Sequence, residues 1–265
     1  MTAKHCLNCD KALVDSYCSG CGQKADTRRI SFKNFLFNDV LHGTFSIERG
    51  MLFTAKQALL RPGTASREYI SGKRKRYYNM FLLGLFLFGL ILFLRHFYAE
   101  LAIAQGDTMD TPTLPNEASR HLNALIAEKS KLIVFLFVPL AALTSFALFR
   151  RKRWNLSEHF ILSGMLLLGM LLLSACGHLL FYLTLFTDSD VVSNIIDFGT
   201  PAMVVVYIGY GYFNAFSADY NRLGMLYRVL LLFVLLCMQV YILLLILIGF
   251  ITDWEFGTVT FSPFG

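Results

Sequence analysis

Charge is scarce in this sequence. Only 16% of its 265 residues are charged and 55% are hydrophobic, whereas soluble domains are about 25% charged. That shortage excludes a water-soluble globule over most of the chain and points to a polytopic membrane protein. Catalytic signatures are missing too. The sequence holds no phosphate loop, no H-E-x-x-H pair and no nucleophile elbow. "GYGYF", Gly209 to Phe213, has glycines but follows no soluble strand, so it is not a dinucleotide fingerprint. Met1 to Asp10 has no apolar h-region, so a signal peptide is not expected. No inverted repeat is visible, which weighs against a transporter built from paired halves.

Long apolar runs are what the chain does have. A spanning helix needs about 20 mostly apolar residues to cross about 30 Å of hydrocarbon. Five runs qualify: 77–98, 131–149, 157–186, 191–216 and 226–252. The fourth is interrupted near its start by Asn194, Asp197 and Pro201. The fold class read from this pattern is an all-α membrane protein with five transmembrane helices. Ahead of them stand a ribbon in residues 1–26 and a basic amphipathic segment in 27–76. The membrane domain is 77–252, and 253–265 is an external tail.

Basic residues collect beside alternate ends of these runs. Lys73, Arg74, Lys75 and Arg76 precede the first span. Arg150, Arg151, Lys152 and Arg153 lie between the second and third, and Arg222 and Arg228 between the fourth and fifth. By the positive-inside rule the N-terminus is cytoplasmic and the C-terminus external. These clusters are also candidate contacts for anionic lipid headgroups, worth about 1 kcal/mol per cation near the surface. Beside a span such runs are topogenic, so nucleic-acid binding is not expected.

Four of the six cysteines crowd into "CLNCDKALVDSYCSGC". Cys6, Cys9, Cys18 and Cys21 form two C-x2-C knuckles, and reduced cytoplasmic thiols in that spacing suit one tetrahedral metal ion. Four thiolates favour structural Zn2+, with iron or a redox dithiol as the alternatives. Gly20 and Gly22 permit the tight turns of such a knuckle. His5 is either a substitute ligand or a solvated surface residue. Cys176 and Cys237 fall inside spans, where a buried cysteine acts as a small hydrophobe.

Between ribbon and membrane, three short helices are expected. One covers Ser31 to His42; one is capped by Ser46, with Ile47, Met51, Ala55, Ala58 and Leu59 on one face; one is capped by Thr64 and ends at Gly72. They either lie in the headgroup layer or pack on the membrane domain. Here the sequence resembles a known family. "CGQK", "RRISFKNFL", "ERGMLFTAKQALLRPG" and "REYISGKRKRYY" are similar to the bacterial domain of unknown function 3667, over about Cys6 to Tyr78. Asn79 and Met80 depart from its ordinary pattern. The family carries no assigned activity, so the resemblance implies a fold, a bacterial origin and hence a place in a bacterial inner membrane, and no chemistry.

Polar residues inside spans are candidate sites. Ser174, His178 and Tyr182 share a helical face. Pairing outward from "TDSD" puts His178 near the depth of Asp197, as a relay pair or a self-satisfied one. Tyr207, Tyr210, Gly211 and Asn214 form a stripe read as helix packing, and Gln239 an interhelical hydrogen bond. Three functions are compatible with all this. The first is a binding, regulatory or scaffolding protein whose ribbon docks a partner or its own subunits. The second is a small transporter or channel along the third and fourth spans, and the third is a lipid-modifying enzyme.

Overall fold

The structure, a computed structural model, describes residues 5–25, 49–104, 134–186 and 190–251. The expected 31–42 helix, the cap at Ser46, Ile47, the "TDSD" turn proper and the tail lie outside these residues. Seven α-helices are described: α1 Arg49–Leu60, α2 Pro62–Ile70, α3 Met80–Ala104, α4 Val134–Leu148, α5 Leu156–Phe181, α6 Asp190–Phe216 and α7 Arg222–Ile251. No strand occurs among the described residues, only two isolated antiparallel bridges.

Four segments are long and apolar enough to cross a membrane: Met80–Ala104, Leu156–Phe186, Asn194–Phe216 and Arg222–Ile246. The second expected span is represented by the shorter apolar helix Val134–Leu148, and residues 131–133 lie outside the described chain. The chain is therefore a multi-pass membrane protein by its helices. Local chemistry sets their starts. Asn79, the departure from the family pattern, accepts from the N–H groups of Phe81 and Leu82 and caps α3. Asn155 and Glu158 form a capping box that opens α5, at 2.9 and 2.8 Å. Pro201 sits inside α6 without ending it.

Helix α5 is the centre of the bundle. Ile161, Leu162, Met165, Leu166 and Leu168 are all buried, and they are shared between two core clusters that flank it. One core cluster joins it to α1, α2 and α3 through Ala58, Ala65, Tyr69, Leu83 and Leu87. A second joins it to α6 and α7 through Tyr212, Phe216, Met225, Val229 and Leu232, with Phe149 and Trp154 from the α4–α5 connection. Gln239 of α7 accepts from Thr144 of α4 at 3.1 Å. Cys176 and Cys237, expected in the interior, are exposed on the outer surface of the bundle.

The two amphipathic helices are not strapped across the end of the bundle alone. They are wedged into it. Tyr207 donates to the Ala58 carbonyl at 2.6 Å, and Tyr210 to that of Leu60 at 2.9 Å. Asn214 accepts from both the N–H and the hydroxyl of Thr64. The stripe on α6 is thus a seat for the α1–α2 turn. Any Cβ at Gly63 would collide with the backbone of Asn214 and Ala215. Tyr207 also presses its hydroxyl on Gly169, so Ala58 sits level with a point roughly 20 Å along α5 at about 1.5 Å per residue. Thr64 is therefore not the cap expected of it. Pro62 opens α2, with Arg61 at the N-cap, because a proline lacks the N–H that a first helical position leaves unpaired.

Candidate metal centre and the loop it docks on

Residues 5–25 are two copies of one knuckle. In the first, Cys6 N–H donates to Lys11 O and Asp10 N–H to Cys6 O; in the second, Cys18 N–H donates to Gln23 O and Gly22 N–H to Cys18 O, all at 2.8 Å. The bridges His5 to Ala12 and Tyr17 to Lys24 close them at matching positions. Asp10 and Gly22 turn the chain with positive φ of 60° and 72°. Gly20 has a different task from the one its turn suggested: a Cβ there would meet Lys11 Cδ at 2.9 Å, so the Lys11 side chain would have to shift.

The four sulfurs converge. Cys6 and Cys21 Sγ are 3.6 Å apart, Cys9 and Cys18 Sγ 3.5 Å, and all four lie within 4.8 Å of one another. A tetrahedral ion with metal–sulfur bonds of about 2.3 Å holds its sulfurs about 3.8 Å apart. The geometry therefore fits one metal ion with four thiolate ligands. Cys18 is pulled down to about 6 by the N–H groups of Cys21 and Gly20. The Lys11 N–H pulls Cys9 down as well, but its neighbouring thiols push it up to about 12. Four such groups cannot all ionise unaided, and a cation at their centre removes that conflict. The ring of His5 points elsewhere, its Nδ1 3.1 Å from Asp10 O, and it is no part of the cluster.

One side of this four-cysteine unit is anchored. The buried Gln23 donates through Nε2 to Gly72 O at 2.8 Å, and its Oε1 accepts from Arg74 and Lys75 N–H at 3.3 Å. Leu7 packs against Gly72, whose φ of +107° and close approach to Leu7 both require glycine. So the "GKRK" run is not a uniform cationic face. Arg74 lies over the Tyr69 ring and Arg76 over those of Phe53 and Tyr77. Arg76 also pairs with Glu68 at 2.5 Å, while Tyr77 donates to the same oxygen at 2.8 Å. Burial, then Glu68, pushes the Tyr77 phenol above its ordinary range. Lys75 remains exposed and Lys73 half-exposed.

The family model described as "Protein of unknown function (DUF3667)" matches residues 48–94. The resemblance therefore holds over α1, α2, the docking loop and the first part of α3. The four-cysteine unit lies ahead of the matched residues. No curated protein and no solved structure matches the chain.

No hydrogen bond or ion pair joins His178 to Asp197 among the described residues. The His178 ring donates to Ser174 O at 2.8 Å and lies near Phe181, and Tyr182 on the same face reaches Leu94 O on α3. Helix α6 instead faces Gly177, through Thr200, and Asp197 is exposed. A polar pair the sequence reading missed lies at the other end, where Ser145 Oγ and His159 Nδ1 meet at 2.8 Å, both buried. The signal was available. Ser145 and His159 stand equally far on either side of the connection 149–155, so pairing outward from it matches them. Their pair is enclosed by Phe146, Trp154 and Phe216, and it ties α4 to α5. The basic residues Arg150, Arg151 and Arg153 border that connection and are exposed, as is Arg222.

Proposed function

We propose that this is an integral protein of the bacterial inner membrane whose four-cysteine unit is a structural zinc ribbon that docks a protein partner, in a binding, regulatory or scaffolding role. The observation that carries the reading is the fixed seat of the unit. Gln23 ties one side of it to Gly72, Arg74 and Lys75, while Val14 and Tyr17 stand 91% and 61% exposed. A small apolar surface held rigid loses little freedom on binding, which favours docking. Four thiolates fill a tetrahedral ion and leave no place for a reacting water, which favours a structural metal over a catalytic one.

Topology supports the same assignment. The connections 150–153 and 217–222 meet through Arg151 and Tyr220, at the end where α2 is bonded to Asn214. Clustered Lys and Arg favour the cytoplasmic side. The ribbon then faces the cytoplasm, where its free thiols stay reduced. In this reading Val134–Leu148, a shorter apolar helix, belongs to a second span, and with five crossings the C-terminus lies outside. A transport path or a lipid-modifying site along α5 and α6 has less support, since His178 and Asp197 share no hydrogen bond or ion pair among the described residues.

A photo-cross-linker in place of Tyr17, in the full chain in native membranes, tests the reading. Discrete protein adducts that vanish in Cys9→Ser/Cys18→Ser are expected. Adducts that persist unchanged in that variant, or their complete absence from the intact chain, end it.

A further inference from the structure

The turn between α6 and α7, which carries one acid at Asp219, gathers two guanidinium groups that form no ion pair among the described residues. Arg228 lies inside the stretch of α7 long and apolar enough to cross a membrane, roughly 9 Å along the helix from Arg222. A cation there is costly unless it bends to the interface or meets an opposite charge. It bends. Its Nη1 donates to Gly224 O at 2.9 Å, and the guanidinium carbon stands 4.3 Å from the centroid of the Tyr220 ring.

Arg151, from the α4–α5 connection, stands over the same ring at 5.1 Å. Its backbone N–H donates to the Tyr220 hydroxyl at 3.0 Å, and its Nη1 to Asp219 O at 3.4 Å. Two like charges, from elements far apart in sequence, are thus collected on one ring. Each aims an N–H at a main-chain carbonyl, and neither is bonded to a carboxylate among the described residues. The ring itself is held, since Tyr220 is buried and edge-on to Phe149 at 5.9 Å. Trp154 shares a core cluster with Tyr220, and the exposed Tyr227 precedes Arg228 in sequence, the aromatic composition of a membrane–water interface.

We propose that Arg151 and Arg228 together bind the phosphate of an anionic phospholipid headgroup at the α6–α7 turn. A phosphate diester offers two unesterified oxygens to guanidinium forks, and Arg matches that geometry where Lys acts only as a point charge. The anion relieves the repulsion between the two cations, and Tyr220 keeps both in place. The acyl chains of the same molecule lie along α7, whose Leu223, Leu226 and Leu230 are exposed. This inference rests on α7 and the two connections beside it and stands apart from the role given to the ribbon.

The test uses the full chain in a mild, uncharged detergent. Thermal unfolding is followed while phosphatidylglycerol, phosphatidylcholine or inorganic phosphate is added. Phosphatidylglycerol should raise the midpoint, and the other two at equal concentration should not. Arg151 is exposed, so Arg151→Gln should fold normally, yet weaken the phosphatidylglycerol response about tenfold, the effect of one charge-assisted contact. Arg151→Gln/Arg228→Gln should abolish it, and Lys73→Gln/Lys75→Gln should keep it. Where the double variant does not fold, Arg228→Lys serves, with a weakened response expected. A full response in the arginine variants overturns the site. An equal response to phosphatidylcholine overturns the preference for an anionic headgroup, and one to inorganic phosphate overturns the lipid as its source.

Discussion

The side-chain amide of Gln23 donates to the carbonyl oxygen of Gly72 at 2.8 Å, across 49 residues of sequence. It joins the four-cysteine unit to the loop that leads into the first long helix. Its carbonyl end accepts from the next N–H groups, those of Arg74 and Lys75. A buried side chain with every polar atom used is a sensitive joint, because each partner left unpaired costs about 1–3 kcal/mol. Gln23→Ala should therefore free the unit without unfolding the bundle. Amide exchange at Arg74 and Lys75 should accelerate sharply while that of α5 holds. Unchanged exchange at both residues would show that the seat depends on Leu7 alone.

The four cations of the docking loop should behave unequally. Arg76 is paired with Glu68 and covered by two aromatic rings, with both partners partly exposed. Its replacement by Gln should cost about 1–2 kcal/mol, the sum of a screened ion pair and cation–π contact. Lys73→Gln should stay within about 0.5 kcal/mol, as surface changes do. Denaturation of the two variants side by side decides the matter, and equal losses would refute the distinction.

Purified full-length protein should carry one zinc per chain, held by Cys6, Cys9, Cys18 and Cys21. The ion should leave on acidification, since protons compete for the thiolates it needs. Elemental analysis of the intact chain and of Cys9→Ser/Cys18→Ser checks this. Iron in place of zinc, no metal at all, or full retention by the double variant would each contradict it.

Orientation has its own measurement. A periplasm-active reporter fused after Gly265 should be active, and one fused after Arg153 silent. The reverse pattern, or equal activity at both sites, would refute five spans with a cytoplasmic N-terminus.

Much of this was legible in the sequence, and the remainder was hidden for identifiable reasons. The spacing of Cys6, Cys9, Cys18 and Cys21 announced the sulfur cluster, because ligand spacing is local. Apolar length announced the long helices. It could not say that α5 is the central one. In a membrane, lipid is as apolar as a core, so burial leaves little trace in the pattern. The stripe of Tyr207, Tyr210 and Asn214 was readable as packing, but its partner was not, since Ala58, Leu60 and Thr64 lie some 150 residues away. The pairing of His178 with Asp197 rested on depth alone. Depth fixes height on a helix and leaves azimuth open, and the Ser174, His178 and Tyr182 face meets α3 instead. The same depth rule, applied at the other connection, would have found Ser145 and His159.

The wedge formed by α1 and α2 also imposes an order on biosynthesis. These helices emerge from the ribosome before any of the long helices, yet the groups that receive them, Tyr207 and Asn214, follow 149 and 150 residues later. At about 5–20 residues per second, the delay is roughly 8–30 s. Throughout that interval Ala58, Thr64 and their neighbours have no α6 to bond, while the long apolar helices α3 and α5 are being made. The N-terminal helices must wait at the membrane surface, and the insertion of α6 is the event that admits them.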